Sequence, residues 1–330
     1  MNRRDFLKLG AASVAGAGVS GNAGAVMREP LSLPPEAVGM LYDSTLCIGC
    51  KACMSACKQA NGLPPQPEGE DEPMWDSPVE TTGDTYNVIK VYIDGDAAQK
   101  DREENGFAFM KRHCLHCVDP SCISACPVSA MIKDPQTGVV SYNADSCIGC
   151  RYCIAGCPFG IPKYQFDDPL GAIGKCSFCS HLQAKGLTPA CCDVCPTGAS
   201  LFGTVEDLKK EAHRRLEATP GDNYVFPRGN LSEDRPPHEG AIPLYEQHVY
   251  GEKELGGTQV MYMSAVPFEK LGLPVNVPEY GYPAITEGIQ HMLYQWMVAP
   301  IAVLAGLVYV VKRNTSGKSG GEHSSGEAES

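Results

Sequence analysis

Four groups of four cysteines recur along this chain, and their spacing limits what it can become. The first is Cys47-x2-Cys50-x2-Cys53-x3-Cys57, and the second is Cys114-x2-Cys117-x4-Cys122-x3-Cys126-Pro127. The third is Cys147-x2-Cys150-x2-Cys153-x3-Cys157-Pro158, and the fourth is Cys176-x2-Cys179-x11-Cys191-x3-Cys195-Pro196. Together they form an internal repeat. A chain of 330 residues is long enough to build a core without cross-links, so this density of cysteine calls for metal rather than a disulfide scaffold.

A cubane cluster needs four thiolates at the corners of a tetrahedron. Three cysteines on one tight loop reach three irons, and a fourth must come from elsewhere. The C-x2-C-x2-C-x3-C-P run has this logic, with its last cysteine ligating the other cluster of a pair. Sixteen of the seventeen cysteines therefore read as ligands to four [4Fe–4S] clusters. Gly49 and Gly149 let the backbone bend closely around the sulfurs. Lys51, Arg112, Arg151, Lys163 and Lys175 lie in or beside the groups and are placed to offset cluster charge. Zinc is the first rival, but its sites are usually built from two separated pairs, which the compact triplets fit poorly. Disulfides, common in exported proteins, do not explain a repeated triplet-plus-one ending in Cys-Pro. The x3 spacing to Cys195 selects Cys191 as a ligand, leaving Cys192 as a buried thiol. His113 and His116, which flank Cys114, read as packed histidines before cluster-tuning ones, and Trp75 reads as packing.

The two ends carry different signals. The start, Asn2-Arg3-Arg4-Asp5-Phe6-Leu7-Lys8, is followed by a weakly apolar run to Val19 and by Ala23-Gly24-Ala25. That order of arginine pair, apolar run and small-residue site predicts a twin-arginine signal peptide over 1–25. Near the other end, 293–311 holds no formal charge and is predicted as a membrane-spanning helix. Tyr294, Trp296 and Tyr309 sit where interface anchors belong, and Lys312 and Arg313 follow at once. The positive-inside rule puts the tail, 312–330, in the cytoplasm and the cysteine-rich body in the periplasm. A net charge of −12 with no basic tract excludes nucleic acid as a partner.

Between the ends, 26–40 reads as a Pro-rich linker, 41–270 as the cluster domain and 271–292 as a second linker. Within the domain, 61–85 reads as a polar loop, and 221–245 is Pro-rich and charged. Strands are expected at 88–93, 106–110, 139–142, 199–203 and 258–264. Thr204 caps an expected helix to about Leu216, with Val205, Leu208, Ala212 and Leu216 on one face. The fold class is α+β.

Four such groups in one chain resemble the four-cluster ferredoxin-like subunits of bacterial respiratory oxidoreductases, such as those of formate dehydrogenase and dimethyl-sulfoxide reductase. The resemblance covers nearly the whole chain. The stretches MNRRDF, GMLYDSTLCIGC (39–50), HCVDPSCISACPVSA (116–130), YGEKELGGTQV (250–260) and LAGL (304–307) are similar to the iron–sulfur subunits of membrane-bound [NiFe]-hydrogenase 2. The resemblance implies tandem bacterial-ferredoxin-like domains plus one C-terminal membrane helix. It also implies four ligand sets. Cluster 1 takes Cys47, Cys50, Cys53 and Cys195, and cluster 2 takes Cys57, Cys176, Cys179 and Cys191. Cluster 3 takes Cys114, Cys117, Cys122 and Cys157, and cluster 4 takes Cys126, Cys147, Cys150 and Cys153. One departure is Lys58, which stands where proline is usual after the group's last cysteine.

The chain shows no catalytic apparatus of its own. No CxxC pairs are left over for a [NiFe] site, and no glycine-rich nucleotide fingerprint sits in a strand–helix context. The resemblance implies a non-catalytic electron-transfer subunit of a hydrogenase complex. Its partners would be the hydrogenase small and large subunits and a multi-spanning, quinone-reactive membrane subunit. The runner-up is the same role beside a molybdenum enzyme such as formate dehydrogenase.

Overall fold

The computed structural model describes residues 27–65, 76–166, 168 and 171–315. The signal peptide expected at 1–25, Trp75, and the tail beyond 315 lie outside the described residues. The chain divides into two compact units, Glu29–Ala284 on one side and the terminal segments, of which 27–28 and 285–315 are described, on the other.

The strands in chain order are β1 (Val38–Asp43), β2 (Val88–Ile93), β3 (Gln99–Lys100), β4 (Gly106–Arg112), β5 (Met131–Lys133), β6 (Val140–Tyr142) and β7 (Lys163–Tyr164). They continue with β8 (Ile173–Gly174), β9 (Ser200–Thr204), β10 (Asn223–Phe226), β11 (Gly229–Asn230), β12 (His238–Ala241) and β13 (Val260–Met263). The α-helices are α1 (Ala52–Ala60), α2 (Ser121–Ser124), α3 (Tyr152–Ala155), α4 (Ser180–Gln183), α5 (Ala190–Asp193), α6 (Val205–Glu217) and α7 (Tyr282–Thr315).

The largest sheet has the order β11-β9-β1-β13. Strand β1 pairs antiparallel with β9 (Met40 opposite Phe202) and parallel with β13 (Met40 opposite Val260). The strand before the first cysteine group is thereby clamped between strands that follow the last, which draws groups one and four together. Leu41, Leu201, Val260 and Met261 are fully buried there, so the sheet is the centre of the core. A second sheet, β2-β4-β3, fills the interval between groups one and two. The pairs β5–β6 and β7–β8 close the intervals between groups two and three and between groups three and four.

Helix α6 starts as its sequence directs: the Thr204 hydroxyl oxygen accepts the Asp207 N–H at 3.2 Å. Val205, Leu208 and Ala212 are buried from it. Glu211 and Arg215 are buried on the same helix, where the sequence pattern places only apolar residues. The Arg215 guanidinium reaches the Asp43 carboxylate at 3.0 Å and that of Glu211 at 2.8 Å, and it lies 5.1 Å from the centre of the Phe226 ring.

The helices within the groups vary with one residue. Helices α2, α3 and α5 are four residues long, and each stops three residues before a proline, Pro127, Pro158 or Pro196. Group one has Lys58 at that place, and α1 runs for nine residues. Nζ of Lys58 donates to the carbonyls of Pro64 and Asp84, both at 2.9 Å, so the exception ties two loops to the helix.

Three boundaries differ from the sequence reading. Strand β1 begins at Val38, inside the stretch expected as linker, because VGMLYD is buried on both faces and shows no alternation. The charged segment 221–245 holds β10, β11 and β12, of which β10 and β12 form a half-exposed hairpin. The C-terminal helix spans 34 residues, beyond 293–311 at both ends, since helix continues through polar positions that an apolar run does not count. At 1.5 Å per residue it is about 51 Å long, more than a hydrocarbon core of about 30 Å requires. Among the described residues it is the one helix long and apolar enough to cross a membrane, with a mean hydropathy of 1.7 over its most apolar window.

Candidate metal centres

Each cysteine group begins with the same backbone manoeuvre. The residue two after the first cysteine has a left-handed conformation in all four: Gly49 (φ 67°), His116 (φ 50°), Gly149 (φ 70°) and Phe178 (φ 57°). This turns the backbone N–H inward. The N–H groups of Gly49, Gly149 and Phe178 lie 3.4, 3.4 and 3.3 Å from the sulfurs of Cys47, Cys147 and Cys176. Hydrogen bonds of this kind stabilise thiolate over thiol and tune a cluster bound there.

The fold then gathers cysteines from groups far apart in sequence. Cys47, Cys50, Cys53 and Cys195 line one cavity. Cys57, Cys176, Cys179 and Cys191 line a second. Cys126, Cys147, Cys150 and Cys153 line a third. The remaining four meet as well: burial pushes the Cys117 thiol well up, and the neighbouring sulfurs of Cys157, Cys114 and Cys122 push it the same way. Cys50 and Cys150 are exposed, whereas most of the others are buried.

The chemistry of these sites separates the rival groups. All seventeen cysteines are unpaired. Among the described residues no cluster of cysteine, histidine or carboxylate converges closely enough to hold a single ion, as zinc requires. Four sulfurs around one cavity instead match the ligand number of a cubane cluster. Burial pushes the thiols of Cys53, Cys57 and Cys122 up to about 12 and that of Cys153 up to about 11, with adjacent sulfurs adding to the effect. Their protons leave when iron replaces them.

One cation makes the case more sharply. The Lys111 side chain is fully buried on β4, and among the described residues no carboxylate is one of its partners. Nζ donates to Ser200 Oγ at 3.0 Å and lies 3.8 Å from Met40 Sδ, and Cys191 and Cys53 are near enough to act on its charge. A buried ammonium without a counter-ion is costly, and an anionic thiolate-bound cluster supplies one. The sequence reading stopped its strand at Met110 and passed over this lysine; the clue was a Lys-Arg pair directly before a cysteine group. The cations it did name are mostly engaged elsewhere. Arg112 donates to the carbonyls of Gly272 and Phe159, Lys163 pairs with Glu80, and Lys175 donates to the carbonyls of Val140 and Cys176. Arg151 lines the third cavity and stacks over Tyr164 and Phe166. Lys51 lines the first.

Cys191 faces the second cavity, whereas Cys192 is fully buried away from it. The adjacent Cys192 thiol, together with the charge of Lys111, pulls Cys191 down to about 5. His113 and His116 are packed. His113 Nδ1 donates to the Cys114 carbonyl at 2.8 Å, and His116 Nδ1 accepts the Val140 N–H at 3.0 Å.

Comparison with known proteins agrees with this architecture. A 4Fe-4S dicluster domain is recognised at residues 39–127 and another at 106–205, which defines an iron–sulfur protein with four [4Fe–4S] clusters. The chain is 46% identical over 326 residues to the Hydrogenase-2 operon protein HybA of Escherichia coli O157:H7, covering 96% of each. It is 33% identical over 264 residues to the Formate dehydrogenase-O iron-sulfur subunit of Escherichia coli K12, covering 79% of this chain and 77% of that one. The nitrate-inducible formate dehydrogenase iron-sulfur subunit of the same organism is 33% identical over 229 residues, covering 68% and 67%. The chain belongs to the HybA family of four-cluster iron–sulfur electron-transfer proteins.

Proposed function

We propose that this chain conducts electrons from a periplasmic [NiFe]-hydrogenase to a multi-spanning membrane subunit that reduces quinone. The observation that carries the reading is the interleaving of cysteine groups: each of the three cavities is lined by sulfurs from two groups. The ligand sets we assign are Cys47, Cys50, Cys53 and Cys195; Cys57, Cys176, Cys179 and Cys191; Cys114, Cys117, Cys122 and Cys157; and Cys126, Cys147, Cys150 and Cys153. Bound there, the clusters supply one-electron redox chemistry. The protein holds them in a dry, preorganised frame and brings two of them to the surface, at Cys50 and Cys150. Those two places are where we assign electron arrival and departure.

The partner assignment follows the relatives. Identity to the hydrogenase-2 operon protein is 46% over nearly the full length, against 33% to the formate dehydrogenase subunits over a shorter span. The twin-arginine start and the Lys312–Arg313 pair after the apolar helix support export of the folded domain, with one pass through the membrane. Deleting the chain from a host that makes the hydrogenase tests the reading. Hydrogen uptake with an artificial dye should persist while hydrogen-dependent quinone reduction is lost. Quinone reduction at the wild-type rate would refute it.

A further inference from the structure

Lys111 stands in the wall between two of the cavities. Its hydrogen-bond acceptor Ser200 lines the cavity of Cys47, Cys50, Cys53 and Cys195. Met40, its neighbour on the other side, lines the cavity of Cys57, Cys176, Cys179 and Cys191. Its charge acts on Cys53 of the first set and on Cys191 of the second. The ammonium is fully buried, and its partners among the described residues include no carboxylate. Its position is fixed from two sides: Lys111 pairs with Ile89 in the β2–β4 ladder, and Ser200 belongs to β9.

We infer that Lys111 is a shared potential-setting cation that raises the reduction potentials of these two clusters together and leaves the other two unaffected. Reduction adds negative charge to a cluster, and a fixed cation in a low-dielectric wall stabilises the more negative state. Screening by water is absent because the side chain is fully buried. The other buried lysines are not equivalent. Lys175 donates to the carbonyls of Val140 and Cys176, and Lys58 donates to those of Pro64 and Asp84. The inference rests on the ligand sets proposed above, and its test reports on both separately.

The test is an anaerobic redox titration of the purified full-length chain, followed by electron paramagnetic resonance, for Lys111→Met and Lys111→Arg. Iron per chain shows whether the four ligand sets are filled, independently of any shift. Lys111→Met should move the oxidation equilibrium of two clusters at least tenfold toward the oxidised form, about 59 mV lower for a one-electron couple. The other two clusters should stay in place, and Lys111→Arg should stay near wild type. Unmoved potentials, or an equal shift in all four, would overturn the inference. If Lys111→Met loses iron, the arginine variant decides. A full complement of iron at wild-type potentials supports a charge requirement. Iron loss as severe as that of the methionine variant overturns it in favour of packing.

Discussion

His116 and Phe178 meet edge to face, with ring centroids 4.7 Å apart and planes at 81°. Both stand two residues after the first cysteine of their group, where the other two groups have glycine, and both hold a left-handed backbone. Such a conformation costs a non-glycine residue roughly 1–2 kcal/mol. The contact offsets that cost and joins groups two and four through their loops. His116 also receives the buried Val140 N–H. Replacing it with alanine orphans that donor, at about 1–3 kcal/mol, and opens a void against Phe178. His116→Ala should unfold at lower denaturant concentration than wild type, by an amount within or above that range. An unchanged midpoint would argue against the joint.

The two glycines at this position should respond differently to one methyl group. A Cβ on Gly49 would sit 2.4 Å from the Phe109 ring, whereas on Gly149 it would meet nothing nearer than the Tyr164 hydroxyl at 3.8 Å. Gly149→Ala then carries only the conformational cost of roughly 1–2 kcal/mol. Gly49→Ala must also displace an aromatic ring or distort the Cys47 loop. Iron analysis should show Gly149→Ala near wild type and Gly49→Ala depleted.

The buried Arg215 connects the core to the first cysteine group. Asp43 Oδ2 accepts from Arg215 and, at 2.6 Å, from the Tyr245 hydroxyl, while Oδ1 accepts the Thr45 N–H at 3.0 Å. Thr45 leads directly into Cys47. Arg215→Met leaves Asp43 buried without its cation, while Glu211 keeps Arg214; the loss is roughly 3–5 kcal/mol. Thermal unfolding of the variant should show it, together with reduced iron retention.

Adjacent cysteines should behave as opposites. Cys191 lines a cavity and Cys192 does not. Cys192→Ala should keep the full complement of iron, since its thiol is buried away from the cavity. Cys191→Ala should lose one cluster or convert it to a three-iron form. Electron paramagnetic resonance of the oxidised proteins distinguishes the two.

Much of this was legible because metal chemistry constrains sequence so tightly. The spacing around Cys47, Cys114, Cys147 and Cys176 marks every group, and the Thr204 cap and the apolar, β-branched run at 88–93 mark their elements. What escaped depends on long-range packing. Val38, Gly39 and Met40 read as linker because the partners of their strand, β9 and β13, lie far along the chain. Lys111 and Arg215 look like surface charges, and only the assembled core shows that each is buried against groups from distant segments. Likewise, nothing local in HCLHC reveals that His116 will fold against Phe178.

The account stands most directly on the iron and acid-labile sulfide content of the chain purified without oxygen. Two dicluster domains filled through all sixteen assigned cysteines hold about sixteen of each per chain. That stoichiometry, in a brown protein, is the expected result. A colourless protein containing zinc, or one whose iron stays near eight per chain after full reconstitution, would contradict it.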